Sequence, residues 1–205
     1  MYDIIGKRNV KGGDTMLTDE NKLKNELRYK ELLKLAVKDS EALLKYLDSI
    51  KYFDAPATAQ YNGAYAGGLC EQALKLAHEL GVLCNIYFPG RYTEEDVLKV
   101  ALLKEVYRAE MYELYQRNVK NEESGKWETV YQYRTKETRP VYGDLGFSSF
   151  MILRKYVDFT DEQLEAIIHS TGLNNYSVDI HDVLKVYPLV TLTRMATEAT
   201  NYLLS

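Results

Sequence analysis

Lys104 and Arg108 stand four residues apart within Val97–Glu110, a segment apolar on most sides. In a helix that spacing sets both cations on one side, a local positive site in a chain whose formal charge is −4. Arg117 and Lys120 add to it if the segment that carries them folds over the same place. Other chemistry is sparse. His78, His169 and His181 are scattered, and no serine or cysteine pairs with any of them as nucleophile and base. Cys70 and Cys84 have no further Cys/His cluster and read as reduced, buried thiols. Gly67-Gly68 is no phosphate loop; a helix start with close backbone approach explains it. Tyrosine is the outlier, 18 against five Phe and one Trp, and it suits wet pockets and interfaces.

The elements that must position these residues emerge from periodicity. Residues 1–18 lack a sustained period and read as a flexible arm. Residues 19–50 form an N-terminal helical extension: one stripe carries Leu27, Leu32, Leu33 and Ala36, a second Leu43, Leu44 and Leu47, with Asp39 or Ser40 as cap. A helix from Gly68 bears Leu69, Ala73, Leu76 and Leu80 and is expected to end at Gly81. Pro89-Gly90 makes a turn, and Thr93 with Asp96 opens the central helix, expected to run through Tyr107. Alternation from Trp127 to Tyr133 predicts a strand, within a hairpin at about 115–134. Helix resumes after Ser148, Thr160 with Gln163 opens another that stops near Gly172, and a last helical region from about Val178 to Leu204 is broken at Pro188. The expected fold is mainly α, with a small β-hairpin insertion. The start, Met1–Arg8, has no charged n-region followed by an apolar h-region, and no apolar run nears the roughly 20 residues of a membrane span, so a cytoplasmic protein is expected.

Three stretches carry a resemblance: Phe53–Ala57 leading into Tyr61-Asn62-Gly63-Ala64-Tyr65-Ala66-Gly67-Gly68-Leu69; Arg117–Glu128; and Tyr187-Pro188-Leu189 with the final helix. In this order they resemble the phage and mobile-element branch of the histidine-aspartate (HD) metal-dependent phosphohydrolases. The resemblance implies a degenerate HD-like domain over residues 51–205. It also implies that ligands for one or two divalent metals once stood where this chain has other residues. The first metal histidine falls on Gln72, and the His-Asp pair on Lys104-Glu105. A later histidine falls on Asp144, another on Ser170 or, with a one-residue slip, His169, and the closing aspartate on Thr197. An amide is a weak ligand and an ammonium repels a cation, so the implied site holds no metal and no cofactor.

The expected protein is therefore a pseudoenzyme without catalytic residues. Lys104 in a cation's place either keeps the cleft attractive to an anion or pairs internally with Glu105, Glu110 or Asp144. On the first alternative the protein binds a phosphorylated nucleotide or cyclic oligonucleotide in the former catalytic cleft and sequesters a host immune signal. The residues expected to bind are Tyr61, Asn62, Tyr65, Gln72, Lys104, Arg108, Arg117, Asp144, His169 and Thr197, with Tyr107, Tyr131 and Tyr142 as further stacking surfaces. On the second, the protein is an inhibitor or scaffold that contacts a host protein, recognisable by a cleft filled from within and an aromatic patch elsewhere. A third reading is an active phosphodiesterase built on Glu105, Asp144, His169 and Glu198. A homodimer is the default assembly; neither a membrane nor extended nucleic acid is expected as partner.

Overall fold

The computed structural model describes residues 17–121, 125–140, 142–169 and 180–203. Helix α1 (Asp19–Ala36) is opened by Thr18, whose hydroxyl accepts from the Asn21 N–H, and α2 (Glu41–Ser49) comes next. Ser40 occupies the cap position of α2 without a side-chain bond, and Asp39 holds a positive φ of 55°. A 3₁₀ turn at Tyr52–Asp54 leads to α3 (Gly68–Tyr87), α4 (Glu94–Leu103) and the short α5 (Arg108–Met111). Strands β1 (Tyr112–Lys120) and β2 (Trp127–Thr135) form one antiparallel hairpin, and α6 (Leu145–Leu153), α7 (Asp161–His169), α8 (Ile180–Val186) and α9 (Pro188–Tyr202) complete the order. The protein is a mainly α-helical bundle carrying a two-stranded hairpin.

Helix α3 lies at the centre, with α1, α4 and α9 against it, while α7 bridges α4, α6 and α9. Residues 19–50, expected as an extension, feed this same core: Tyr29, Leu33, Leu43 and Leu47 are fully buried with Leu69, Leu80 and Leu103. Tyr29 is instructive. Its ring packs 5.1 Å from Tyr52 and 5.5 Å from Phe53, and its hydroxyl donates to the Leu102 carbonyl at 2.7 Å, so the buried O–H has the partner it needs. Cys70 and Cys84 are free and buried, and burial pushes their thiols up to about 12 and about 11. None of the described helices is long and apolar enough to cross a membrane.

Four expected boundaries move. Helix α3 does not stop at Gly81 but runs on to Tyr87, because Leu83 and Cys84 continue the inward-facing pattern. Its end comes at Pro89 and Gly90, the latter at φ +79°, where only glycine is comfortable. Helix α4, opened by the reciprocal Thr93–Asp96 capping box, ends at Leu103 and not at Tyr107. From there the chain tightens into three-residue turns, Val106 N–H to Leu103 O, Arg108 N–H to Glu105 O and Glu110 N–H to Tyr107 O. Helix α6 begins at Leu145, ahead of Ser148, because the Asp144 carboxylate caps it by accepting from the Phe147 N–H at 2.9 Å. The hairpin itself begins at Tyr112, three residues before its expected start. Thr160 and Gln163 make the expected capping box, with α7 ending at His169, and Pro188 opens α9 at its first turn. The expected arm, apart from Leu17 and Thr18, and the expected stop near Gly172 lie outside the described residues.

Two glycines set opposite expectations. A Cβ on Gly146 would stand 2.3 Å from the Ile167 carbonyl oxygen and 2.6 Å from that of Ile168, so α6 and α7 touch backbone to backbone there. Gly81 sits mid-helix, where a Cβ would meet only Val97 Cγ1 at 3.8 Å. Gly146→Ala is therefore expected to cost about 3 kcal/mol and lower Tm by roughly 6–12 °C. Gly81→Ala is expected to raise stability by about 0.5–1 kcal/mol. Thermal denaturation of both variants checks the pair.

Candidate functional site

The tight turn after α4 decides the geometry of the charged residues. In turns of three residues, side chains at i and i+3 eclipse, so Glu105 and Arg108 are brought together. Arg108 Nε lies 2.8 Å from Glu105 Oε2, and the Lys104 ammonium donates to Glu105 Oε1. Lys104 is 1% exposed, against 13% for Glu105 and 20% for Arg108. Arg108 Nη1 also donates to the Ala57 carbonyl at 2.7 Å, tying the turn to the segment before the glycine-rich stretch. Of the carboxylates that could pair with Lys104, Glu105 takes it.

Burial sets the electrostatics of this group. It opposes the charge of Glu105, yet Arg108 and Lys104 outweigh it and hold the carboxyl at about 2, against an ordinary 4.5. Burial pulls the Lys104 ammonium below its ordinary value, and the attraction of Glu105 only partly offsets that. For Arg108 burial acts in the same sense, but Glu105 prevails and its value rises. Two cations share one carboxylate, leaving one positive charge over.

Lys104 and Glu105 of this triad form one wall of a cleft between α3, α4 and α9, with Arg108 behind them. Gln72, Lys104, Glu105, Thr197, Thr200 and Asn201 supply its polar lining; Tyr52, Leu69, Leu76 and Leu102 its apolar part. The cavity volume is about 10 Å³, room for roughly one water molecule. The Gln72 side-chain N–H donates to Asn201 Oδ1, and Gln72 Oε1 is buried without a hydrogen-bond partner among the described residues. Thr197 Oγ1 donates to the Thr193 carbonyl at 2.7 Å, within its own helix. Asn62 Nδ2 donates to the Asn201 carbonyl at 2.9 Å, closing the glycine-rich segment over the end of α9.

Of the residues expected to bind, Gln72, Lys104 and Thr197 face the cleft, while Arg108 and Asn62 buttress it. The rest do not line it. Tyr61 is 81% exposed on its loop, and the Tyr65 hydroxyl donates to Glu71 Oε2 at 2.7 Å. Arg117 is exposed on β1, opposite Val130. Asp144 is taken by the α6 cap, and His169 pairs with Glu165 at 3.0 Å. Among the further stacking candidates, Tyr107 is buried and donates to the Pro140 carbonyl, whereas Tyr131 and Tyr142 are exposed at 65% and 46%. Asn201 and its neighbour Thr200 are polar cleft residues that the sequence reading missed. Their position one helical turn beyond Thr197 was the available signal.

A divalent metal does not fit these donors. The cleft offers one carboxylate already shared by two cations, the amides of Gln72 and Asn201, threonine hydroxyls and an adjoining ammonium. Among the described residues no three His, Cys, Asp or Glu side chains are grouped to hold a metal ion. Glu198 is exposed and, like Asp144 and His169, stays outside the cleft lining. Comparison with protein-family models, curated proteins and solved structures finds no match to this chain.

The acid limb of stability tests the triad. Because Glu105 is held below its unfolded value, its contribution is complete above about pH 4.5 and is lost as pH falls through about 2. Asp96 is also depressed, so the informative quantity is the difference between wild type and Glu105→Gln. Urea denaturation across this window is expected to show the variant less stable by roughly 3 kcal/mol at neutral pH, with the two curves converging near pH 2.

Proposed function

We propose that the chain is a non-catalytic protein-binding module, an inhibitor or scaffold, built on a degenerate HD-like helical body. The observation that carries this reading is the closure of the cleft from within: Lys104, buried and bonded to Glu105, leaves a cavity of about 10 Å³, too small for a nucleotide. The HD-like part draws support from Gln72, Lys104, Glu105 and Thr197, which face one cleft although they lie far apart in the chain. They are the positions where the resemblance puts the first metal histidine, the His-Asp pair and the closing aspartate. A host protein as the target rests on the resemblance to phage members alone.

The binding surface is the hairpin. Cross-strand register places Leu114 opposite Tyr133, Gln116 opposite Tyr131, and Lys120 opposite Trp127, so these side chains share one face. Leu114, Tyr131 and Trp127 are 56%, 65% and 71% exposed there. Exposed aromatic residues on a firm backbone, with amide and hydroxyl neighbours, have the make-up of interface anchors.

One observation favours a second reading. Gln72 Oε1 is buried without a partner among the described residues beside a triad with a spare positive charge, so a small phosphorylated ligand could enter if Lys104 swung aside. Both readings are separated by one experiment. A photo-crosslinking amino acid at position 131, in cells of the source organism or its host, identifies the contacting protein, and binding is then measured with both proteins purified. Replacing Trp127 and Tyr131 by alanine is expected to weaken that complex about 30-fold or more, whereas Lys104→Met leaves it unchanged. Unaltered affinity in the hairpin variant contradicts the proposal. So does a retained small phosphorylated ligand, seen by native mass spectrometry and lost in Lys104→Met.

A further inference from the structure

The edge of β2 away from β1, unpaired among the described residues, is built to pair with itself. The Asn121 N–H donates to the Lys126 carbonyl at 2.8 Å, and the Lys136 N–H to the Met111 carbonyl at 2.9 Å. Both pairs fit the register that sets Tyr112 against Thr135. Bonded and non-bonded pairs alternate in an antiparallel ladder. Glu113–Arg134, Tyr115–Gln132, Arg117–Val130 and Val119–Glu128 are therefore the pairs that bond inward. The backbone N–H and C=O groups of Trp127, Thr129, Tyr131, Tyr133 and Thr135 consequently point away from β1. Among the described residues β1 is the only strand that pairs with β2. Seven of the nine residues of β2 are exposed, against five of nine in β1. A nine-residue open edge of this kind is a template for another strand.

Charge identifies which strand. If a second copy of β2 runs antiparallel with Tyr131 opposite Tyr131, then Trp127 meets Thr135, Thr129 meets Tyr133, and Glu128 meets Arg134. The Glu–Arg contact occurs twice by symmetry. Tyr131, Thr129 and Tyr133 all carry outward-pointing backbone groups, so the ladder and the charges agree on one register, with about ten backbone hydrogen bonds. A slip of two residues either way parts both Glu128–Arg134 contacts and removes one bonded pair within β2; in one direction Arg134 then meets Lys126, and in the other Glu128 meets Lys136, which lies beyond the end of β2. Arg134 already contacts Glu113 at 2.8 Å, but at 50% and 38% exposure that pair is weak and leaves the guanidinium available to a second carboxylate.

We propose that the chain forms a two-fold dimer in which β2 of one copy pairs antiparallel with β2 of the other about Tyr131, joining two hairpins into a four-stranded sheet. This uses the strand edge and leaves the aromatic face open, so it stands or falls separately from the protein-partner reading.

Sedimentation equilibrium of the full chain tests it with Glu128→Arg and Arg134→Glu, each checked by circular dichroism for unchanged helix content. Wild type is expected to be dimeric. Each variant alone opposes like charges at both symmetric contacts, raising the dimer dissociation constant about tenfold or more. An equimolar mixture of the two restores both opposite-charge contacts and the dimer. Thr129→Pro, which deletes an outward N–H and spares the bonds to β1, is expected to be monomeric. Monomeric wild type, a dimer indifferent to all three substitutions, or a mixture no more associated than its components overturns the proposal.

Discussion

A lysine ammonium with 1% exposure cannot stay charged without a carboxylate beside it, and among the described residues Glu105 is the carboxylate that pairs with Lys104. Arg108 closes on the same carboxylate from the other side and reaches on to the Ala57 carbonyl. The triad therefore joins the end of α4 to the chain that enters α3, and its Lys104 and Glu105 form the wall of the cleft that α9 completes. Such buried pairs are weak evidence for added stability, since desolvation consumes most of the Coulomb gain. Their effect is on geometry. With Glu105 engaged twice, its carboxylate is not available to outside chemistry.

This constraint separates the helical body from the hairpin. The body is packed through aromatic and aliphatic contacts such as Tyr29 with Tyr52 and Phe53, and its polar groups are largely spoken for by caps and by Asn201. The hairpin packs chiefly on itself and shows the solvent Trp127, Tyr131 and an open strand edge. On the proposed reading, the interior retains the arrangement of an older site and the exposed ribbon carries recognition.

Local signals in the sequence were legible where they were self-contained. The two capping boxes, Thr93 with Asp96 and Thr160 with Gln163, depend only on residues three apart and appear as read. The hairpin was legible from alternation and from its Glu- and Gly-rich loop. Boundaries set by packing were not. Gly81 lies in a helix because neighbours hold it there, and α4 ends at Leu103 although Val106 and Tyr107 extend its apolar pattern. That early end changes the site. The spacing of Lys104 and Arg108 reads as two cations sharing one helical face, whereas the tight turn makes Glu105 the centre of a triad. Gln72 and Thr197 meeting Lys104 was legible only through the family resemblance, since no local pattern links three helices. Asp144 and His169 enter the expected site through positions that the resemblance assigns, and each has a nearer partner.

The central claim is that Lys104 depends on Glu105 inside a closed cleft, and a double-mutant cycle in urea denaturation measures that dependence. Glu105→Gln alone strands a buried ammonium and is predicted to cost about 3–5 kcal/mol. Adding Lys104→Met to that variant is predicted to recover much of the loss, because the group left without a partner is gone. If Lys104→Met instead shifts stability equally with and without Glu105, the two side chains are independent and the closed-cleft account is contradicted.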